Sequence, residues 1–431
     1  MPRYALARFV FTQSLLAAAL ILFGALSASA QHPGTAQYTT ILNFENYDQG
    51  NSGPNSLLVA DASGNLYGTT GLAPDDTGGG VFELTPAGDG TWNESFFAMD
   101  VFANGEFPNG VILDSKTGNL YGTTSSGGTG NCGVVFEVTP PSAGSGSWSE
   151  NVLYNFTCET DGDEPDSPLI EDSQGRLYGT TFFGGKGVGV VFMLTPPSAA
   201  GGSWAEQVLY SFLGGGNGGY PGAGLVMDGS GAIYGTTDVE GIPQDLDGTA
   251  FKLTPRKSGP WAMTILHAFH GSRGNYSDGG RPVGSLVLDG SGAVYGATSA
   301  GGDGCPVQVH LGCGTIYQLV PPTSQGGTWT ENILYNFGSA GKADGLGPSG
   351  VVFDSTGALW GTTYGGGTNS NGTVFKLTPP SGGVGSWTPS AISLPRGSYG
   401  SAGILLMGSD IYGTTPFGGT NGGGTVFELV P

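Results

Sequence analysis

One tetrapeptide returns along this chain at near-regular intervals. Tyr67-Gly68-Thr69-Thr70 recurs at Tyr121, Tyr178, Tyr234 and Tyr412, with Tyr295-Gly296-Ala297-Thr298 and Trp360-Gly361-Thr362-Thr363 as close variants. The seven copies lie 54, 57, 56, 61, 65 and 52 residues apart. A period of that size marks an array of supersecondary units. The flanks of each copy repeat too. Before it lies an apolar run ending in a turn Asp, such as Leu225-Val226-Met227-Asp228-Gly229-Ser230-Gly231-Ala232-Ile233. After it come a Gly-rich loop, a run such as Gly133-Val134-Val135-Phe136-Glu137-Val138-Thr139-Pro140, and a run opened by Trp, such as Trp148-Ser149-Glu150-Asn151-Val152-Leu153-Tyr154-Asn155-Phe156.

Short runs rich in Val, Leu, Phe, Tyr and Thr, bounded by Gly, Pro, Asp and Ser, are strand signals. Four antiparallel strands per unit, seven times over, predict an all-β fold: a seven-bladed β-propeller of four-stranded blades. A β-helix has shorter repeats, and stacked sandwiches would not repeat one tetrapeptide. Gly and Pro number 83 and 27 among 431 residues, about a quarter of the chain. Without a period that level would indicate an irregular coil.

The phase of the repeat predicts how the ring closes. Tyr38-Thr39-Thr40-Ile41-Leu42-Asn43-Phe44 matches a fourth run, whereas the chain ends on a third run, Gly424-Thr425-Val426-Phe427-Glu428-Leu429-Val430-Pro431. Residues 38–44 are therefore expected as the outermost strand of blade seven, a three-plus-one latch that removes a free sheet edge. The domain reading is a signal peptide over 1–30, a short linker over 31–37 and one propeller over 38–431. Arg3 and Arg8 precede an apolar run and then Ala28-Ser29-Ala30, so cleavage is expected before Gln31. The product is expected to be secreted, periplasmic or held at the cell surface. No second apolar stretch suggests a membrane span, and the chain is expected as a monomer. A formal charge of −21 disfavours nucleic acid as a partner.

The repeat Asp-x-x-Gly-x-(Leu/Ile/Val)-Tyr-Gly-Thr-Thr, then Gly-Gly, then Gly-(Val/Thr)-Val-Phe-x-Leu-Thr-Pro, resembles the tandem repeat of the GloVer-type, choice-of-anchor exported bacterial proteins. The likeness covers essentially all of the chain after residue 30. The Pro before each turn Asp (Pro108, Pro221, Pro282, Pro348) resembles, more distantly, NHL-type propeller repeats. The resemblance implies an exported propeller and carries over no catalytic residue. Relatives often end in a sorting anchor; this chain stops at its last strand, so attachment by that route is not expected.

Most conspicuous residues read as structure. The repeated Tyr packs between blades, and six Trp open fourth strands while Trp360 stands in a Tyr position. The turn residues Asp61, Asp114, Asp172, Asp228, Asp289 and Asp354 are expected to cap their own turns rather than form a ring of metal ligands. His267 fills the slot that Tyr154 holds in unit two and reads as strand filling. Four cysteines in an exported chain are expected to be oxidised. Of three possible pairings, hairpin adjacency favours Cys132–Cys158 and a shared loop favours Cys305–Cys313, over a redox or metal role.

Function is expected where the units differ. The loops after Tyr-Gly-Thr-Thr and after the fourth strand vary most, and in an up-down blade both emerge on one face. Loops on a rigid scaffold are where binding residues gather. Two of these loops are acidic: Asp161, Asp163, Glu164 and Asp166 in one, Asp245 and Asp247 in the other. Their hard oxygen donors suit Ca2+, without EF-hand spacing, and a solvated acidic loop is the plainer reading. Phe182, Phe183, Tyr364 and Phe417 follow second strands on the same face. They are placed either to stack on sugar rings or to wedge into loop packing. The leading expectation is a non-catalytic exported scaffold that binds a ligand or partner, such as a glycan or cell-surface polymer. The alternatives are a secreted propeller enzyme (lyase, hydrolase or oxidoreductase), marked by a His or Lys with two carboxylates at the channel mouth, and a structural surface or matrix component.

Overall fold

The computed structural model describes residues 36–431 except 46–52, 55, 72–77, 100–104, 142–146, 200, 239–246, 272–277, 304, 306–312, 325, 384, 396–397, 399 and 401–402. Residues 1–30, expected as a signal peptide, and residues 31–35 of the expected linker lie outside the described residues, as does Asp245.

Seven antiparallel sheets follow one another in chain order as the blades of a propeller. In blade three, Ile170–Glu171, Leu177–Thr181, Val190–Thr195 and Ala205–Ser211 run from the innermost strand to the outermost. The outermost strand of blade seven is Gln37–Asn43, antiparallel to Thr425–Val430 with Tyr38 opposite Leu429. The expected latch is present, and Phe44 extends it with an N–H bond to the Gly424 carbonyl.

The tetrapeptide is explained by packing. Leu177–Thr181 is buried at every residue. A Cβ on Gly179 would lie 2.6 Å from the ring of Phe192 on the next strand, and one on Gly122 would lie 2.4 Å from Phe136. Glycine is required there by the aromatic side chain opposite it. The tetrapeptide Tyr is held from the turn Asp. Oδ2 of Asp172, Asp228 and Asp289 accepts the hydroxyl of Tyr178, Tyr234 and Tyr295 at 3.0, 3.0 and 2.9 Å, and Asp354 accepts Trp360 Nε1 at 2.8 Å. Oδ1 accepts two backbone N–H groups of the same turn, as Asp228 does from Ser230 and Ala232. Burial opposes the ionised form of Asp228, but these donors outweigh it and hold the carboxyl down at about 2.

Neighbouring blades are joined by three repeated contacts. The Trp that opens a fourth strand meets the tetrapeptide Tyr of the preceding blade, as in Trp204–Tyr121, Trp261–Tyr178 and Trp329–Tyr234. In blades one to six a Pro at or just ahead of the first strand sits on the Gly ahead of the previous blade's third strand. A Cβ on Gly189 would lie 2.7 Å from Pro221, and one on Gly248 would lie 2.5 Å from Pro282. The N–H of the residue before that Pro donates to the previous blade: Phe107 to Gly78, Glu164 to Cys132, Tyr220 to Val188, Arg281 to Asp247 and Gly347 to Cys313. Both disulfides form as expected, Cys132–Cys158 and Cys305–Cys313, with Cα–Cα separations of 5.3 and 5.6 Å.

Candidate functional site

The two variable loop sets do emerge together. In blade three, Asp163 and Phe183 exchange both backbone hydrogen bonds, and the Phe182 N–H donates to the Glu164 carbonyl. The first strands of all seven blades converge on the ring axis just beneath these loops. Ser56, Asn109, Asp166, Gly222, Ser285, Ser349 and Gly403, one from each blade, line a cavity of about 260 Å3 at the channel mouth. Below it, Leu57, Val59, Ile112, Ile170, Val352 and Ile404 line a second cavity of about 220 Å3. A ligand entering from the loop face would meet hydroxyls, an amide and backbone first, then an apolar floor.

Asp166 is the one charged side chain among the described residues lining the mouth. It is open to the water in the channel, yet protein surrounds it. That confinement, and secondarily the charge of Glu164, pushes its carboxyl up to about 6. Beside it, Asn109 donates from Nδ2 to the Pro165 carbonyl at 2.8 Å, which fixes the amide.

Sequence reasoning did not single out the residue before each Pro as a backbone feature. Phe107, Glu164, Tyr220 and Arg281 have φ of 58, 54, 57 and 54°, and Gly347 has 63° at the same position. Left-handed backbone at a non-glycine residue is sparsely populated and strained. Four different side chains adopt it because the hydrogen bond between blades fixes the N–H direction. The position carries an aromatic, an acid, a phenol and a base in successive blades, so one geometry displays variable chemistry around the mouth. The legible signal was the recurring Asp/Asn-Gly-x-x-Pro spacing.

The predicted aromatics divide. Phe182 and Phe183 form a three-ring cluster with Tyr220, with centroids 4.9, 5.1 and 5.7 Å apart. Phe182 also faces Gly222 of the channel mouth. Tyr364 is 61% exposed. It walls a groove of about 520 Å3 with Val283, Leu346 and Pro348, and Ser349 belongs to both groove and mouth. Phe417 is 36% exposed and accepts the Thr415 hydroxyl at its carbonyl.

The predicted acids face different ways. Asp161 is buried and accepts the Tyr154 hydroxyl at 2.9 Å and both the N–H and hydroxyl of Thr157. Asp163 lies beside the Cys132–Cys158 disulfide. Glu164 holds the strained position, and Asp166 turns into the channel. Asp247 is buried and is tied by its backbone to Phe269 and Arg281.

His267 does occupy the slot of Tyr154, but its role is not strand filling alone. Its Nε2 lies 3.1 Å from Asp278 Oδ1 and 3.6 Å from Glu331 Oε2. Burial disfavours the imidazolium, yet Asp278 and Glu331 outweigh it and raise the pKa. Burial first, then the charge of Asp278, pushes Glu331 up to about 7 against the opposing pull of His267. This cluster lies at the outer part of the seam between blades four and five, since His267 and Glu331 sit on the outermost strands Ala262–Ala268 and Thr330–Asn336.

A model of the Gloeobacter/Verrucomicrobia repeat matches residues 29–245 and again 143–310. No curated protein sequence matches the chain. Among solved structures, the polysaccharide lyase Uly1 is similar at a TM-score of 0.52 and 10% identity, over 90% of this chain and 92% of that one. The PQQ-bound aldose sugar dehydrogenase from Streptomyces coelicolor gives 0.45 and 12%, over 92% and 99%. A protein of unknown function from Dyadobacter fermentans gives 0.45 and 10%, over 92% and 99%. At these identities the likeness concerns the fold alone.

Proposed function

The chain belongs to the Gloeobacter/Verrucomicrobia repeat family, and from that premise we propose that it is an exported, non-catalytic propeller that binds a neutral glycan across its loop face. The observation that carries this reading is the arrangement of rings around the mouth. Tyr364 stands exposed on one side, the Phe182–Phe183–Tyr220 cluster lies on the other, and hydroxyls and an amide lie between them. Sugar rings bind by stacking an apolar face on an aromatic while their hydroxyls are hydrogen-bonded. The net charge of −21 and the carboxylate at the mouth disfavour polyanionic polymers.

An enzyme on this face would need converging groups in mutual geometry. Among the described residues lining the mouth, Asp166 has no His or Lys beside it. Export rests on the 1–30 leader pattern and agrees with two disulfides, which persist in oxidising compartments. No helix among the described residues is long and apolar enough to cross a membrane.

The test is a glycan array with and without Ca2+, followed by titration of the best neutral sugar. Tyr364→Ala and Phe182→Ala should each weaken binding about tenfold, the loss of one stacked ring at roughly 1.4 kcal/mol. An empty array in both arms, or cleavage of the bound sugar, would overturn the proposal.

A further inference from the structure

The seam between blades four and five holds a ligand set that its sister seams lack. We propose that His267, Asp278 and Glu331 bind one divalent first-row transition metal ion, with Zn2+ the best match, at the outer part of this seam. The three ligand atoms lie within 4.8 Å of one another. The carboxylate separations from Nε2, 3.1 and 3.6 Å, bracket the roughly 3.3 Å edge of a tetrahedron with bonds of about 2.0 Å. One imidazole and two carboxylates offset the charge of a divalent ion. A nitrogen donor with so few oxygens suits Zn2+ and disfavours Ca2+, which takes six to eight oxygens.

The surroundings are those of a built site. The three side chains are 23, 11 and 15% exposed. The backbone N–H of His270 donates to Asp278 Oδ2 at 3.0 Å, which leaves Oδ1 turned to His267. The imidazole of His270 stands on the solvent side, with Nδ1 3.4 Å from the same Oδ2. Oε1 of Glu331 has no hydrogen-bond partner, as is true of its counterpart Glu206; the hydroxyl of fully buried Tyr317, which is near enough to feel the Glu331 charge, also has none and stands where the sister seam carries Phe192.

Repeat geometry gives an internal control. Between blades two and three the same positions carry Tyr154, Asp161 and Glu206, and the Tyr hydroxyl donates to Asp161. Between blades five and six, Tyr335 donates to Asp344 at 2.6 Å, and the Glu position is Pro389. Exchanging a phenol for an imidazole turns a hydrogen-bonded pair into a chelating set. The metal would then clasp the outer strand of blade four to blade five.

The test is calorimetric titration of EDTA-stripped, disulfide-intact protein with Zn2+, with Co2+ as a spectroscopic probe. One equivalent should bind, Co2+ should give the visible bands of a nitrogen–oxygen site, and Zn2+ should raise Tm by a few degrees. His267→Tyr, which restores the residue of the sister seam, should weaken binding at least about 100-fold, while His310→Ala should leave it intact. If the Tyr variant does not fold, near-isosteric Glu331→Gln must show the loss. No saturable binding, or binding that survives both substitutions, would overturn the site.

Discussion

The seam between blades two and three and the seam between blades four and five are one construction in which the aromatic that faces the shared acid differs, Tyr154 in one and His267 in the other. In the first, the donors around Asp161 are satisfied: Tyr154 and Thr157 supply three bonds to a carboxylate that is 8% exposed. The Cys132–Cys158 disulfide lies at the same seam, since the Cys132 carbonyl takes the N–H of Glu164 in the next blade. In the second, the imidazole of His267 faces two carboxylates, and both disulfides lie elsewhere. The scaffold decides where side chains meet. The identity of one of them decides whether the meeting closes on itself or stays open to a ligand.

Alanine substitution at the shared acid separates the two most. Asp161→Ala removes a buried acceptor, leaves the half-buried Tyr154 hydroxyl and both Thr157 donors without their three bonds to it, and should cost about 4 kcal/mol. Asp278→Ala also relieves the crowding of two carboxylates and should cost about 1 kcal/mol in metal-free protein. Urea unfolding at neutral pH measures both, and equal losses would break the comparison. Next in size is the covalent tie. Replacing Cys132 and Cys158 by Ser opens a loop of sequence separation 26 and should cost about 3 kcal/mol. The same urea series on the double variant checks it, and a loss below about 1 kcal/mol would mean that the hydrogen bonds alone hold these strand ends of blade two together.

The smallest effect concerns Glu206, the counterpart of Glu331. Burial, then the charge of Asp161, pushes its carboxyl from 4.5 up to about 7. Below its unfolded pKa both states are protonated and it contributes nothing. As pH rises from there through about 7, the unfolded state ionises first, so stability falls across that window. The full shift corresponds to roughly 3 kcal/mol, and solvent screening reduces it. Glu206→Gln should therefore stabilise the protein by about 1 kcal/mol near pH 8 and by nothing near pH 4. Thermal melts at the two pH values test this, and a pH-independent gain would refute burial of the charge as the cause.

Blade number, strand order and the latch were legible because their signals are local. Gly179 sits opposite Phe192 across one hairpin, and Asp172 holds Tyr178 six residues on. The disulfides were legible for the same reason, since both close within one unit. That the two variable loop sets share one face was legible from the up-down order of the strands. Asp166 appeared in the sequence as one of four loop acids, and its separate place in the channel did not show. Phe182 and Phe183 were visible as aromatics, but their third ring, Tyr220, comes from the next blade. The joining of His267 to Glu331 was also hidden, because these residues lie on the outer strands of different blades.

The sequence by itself determined a closed ring of seven repeated blades, because hairpins, turn caps and aromatic–glycine pairs act over a few residues and are written in each unit. Only the tertiary structure decided what stands at the ring axis and at each seam. Those places are built from one or two residues of several units, and their chemistry exists only once closure sets the blades side by side.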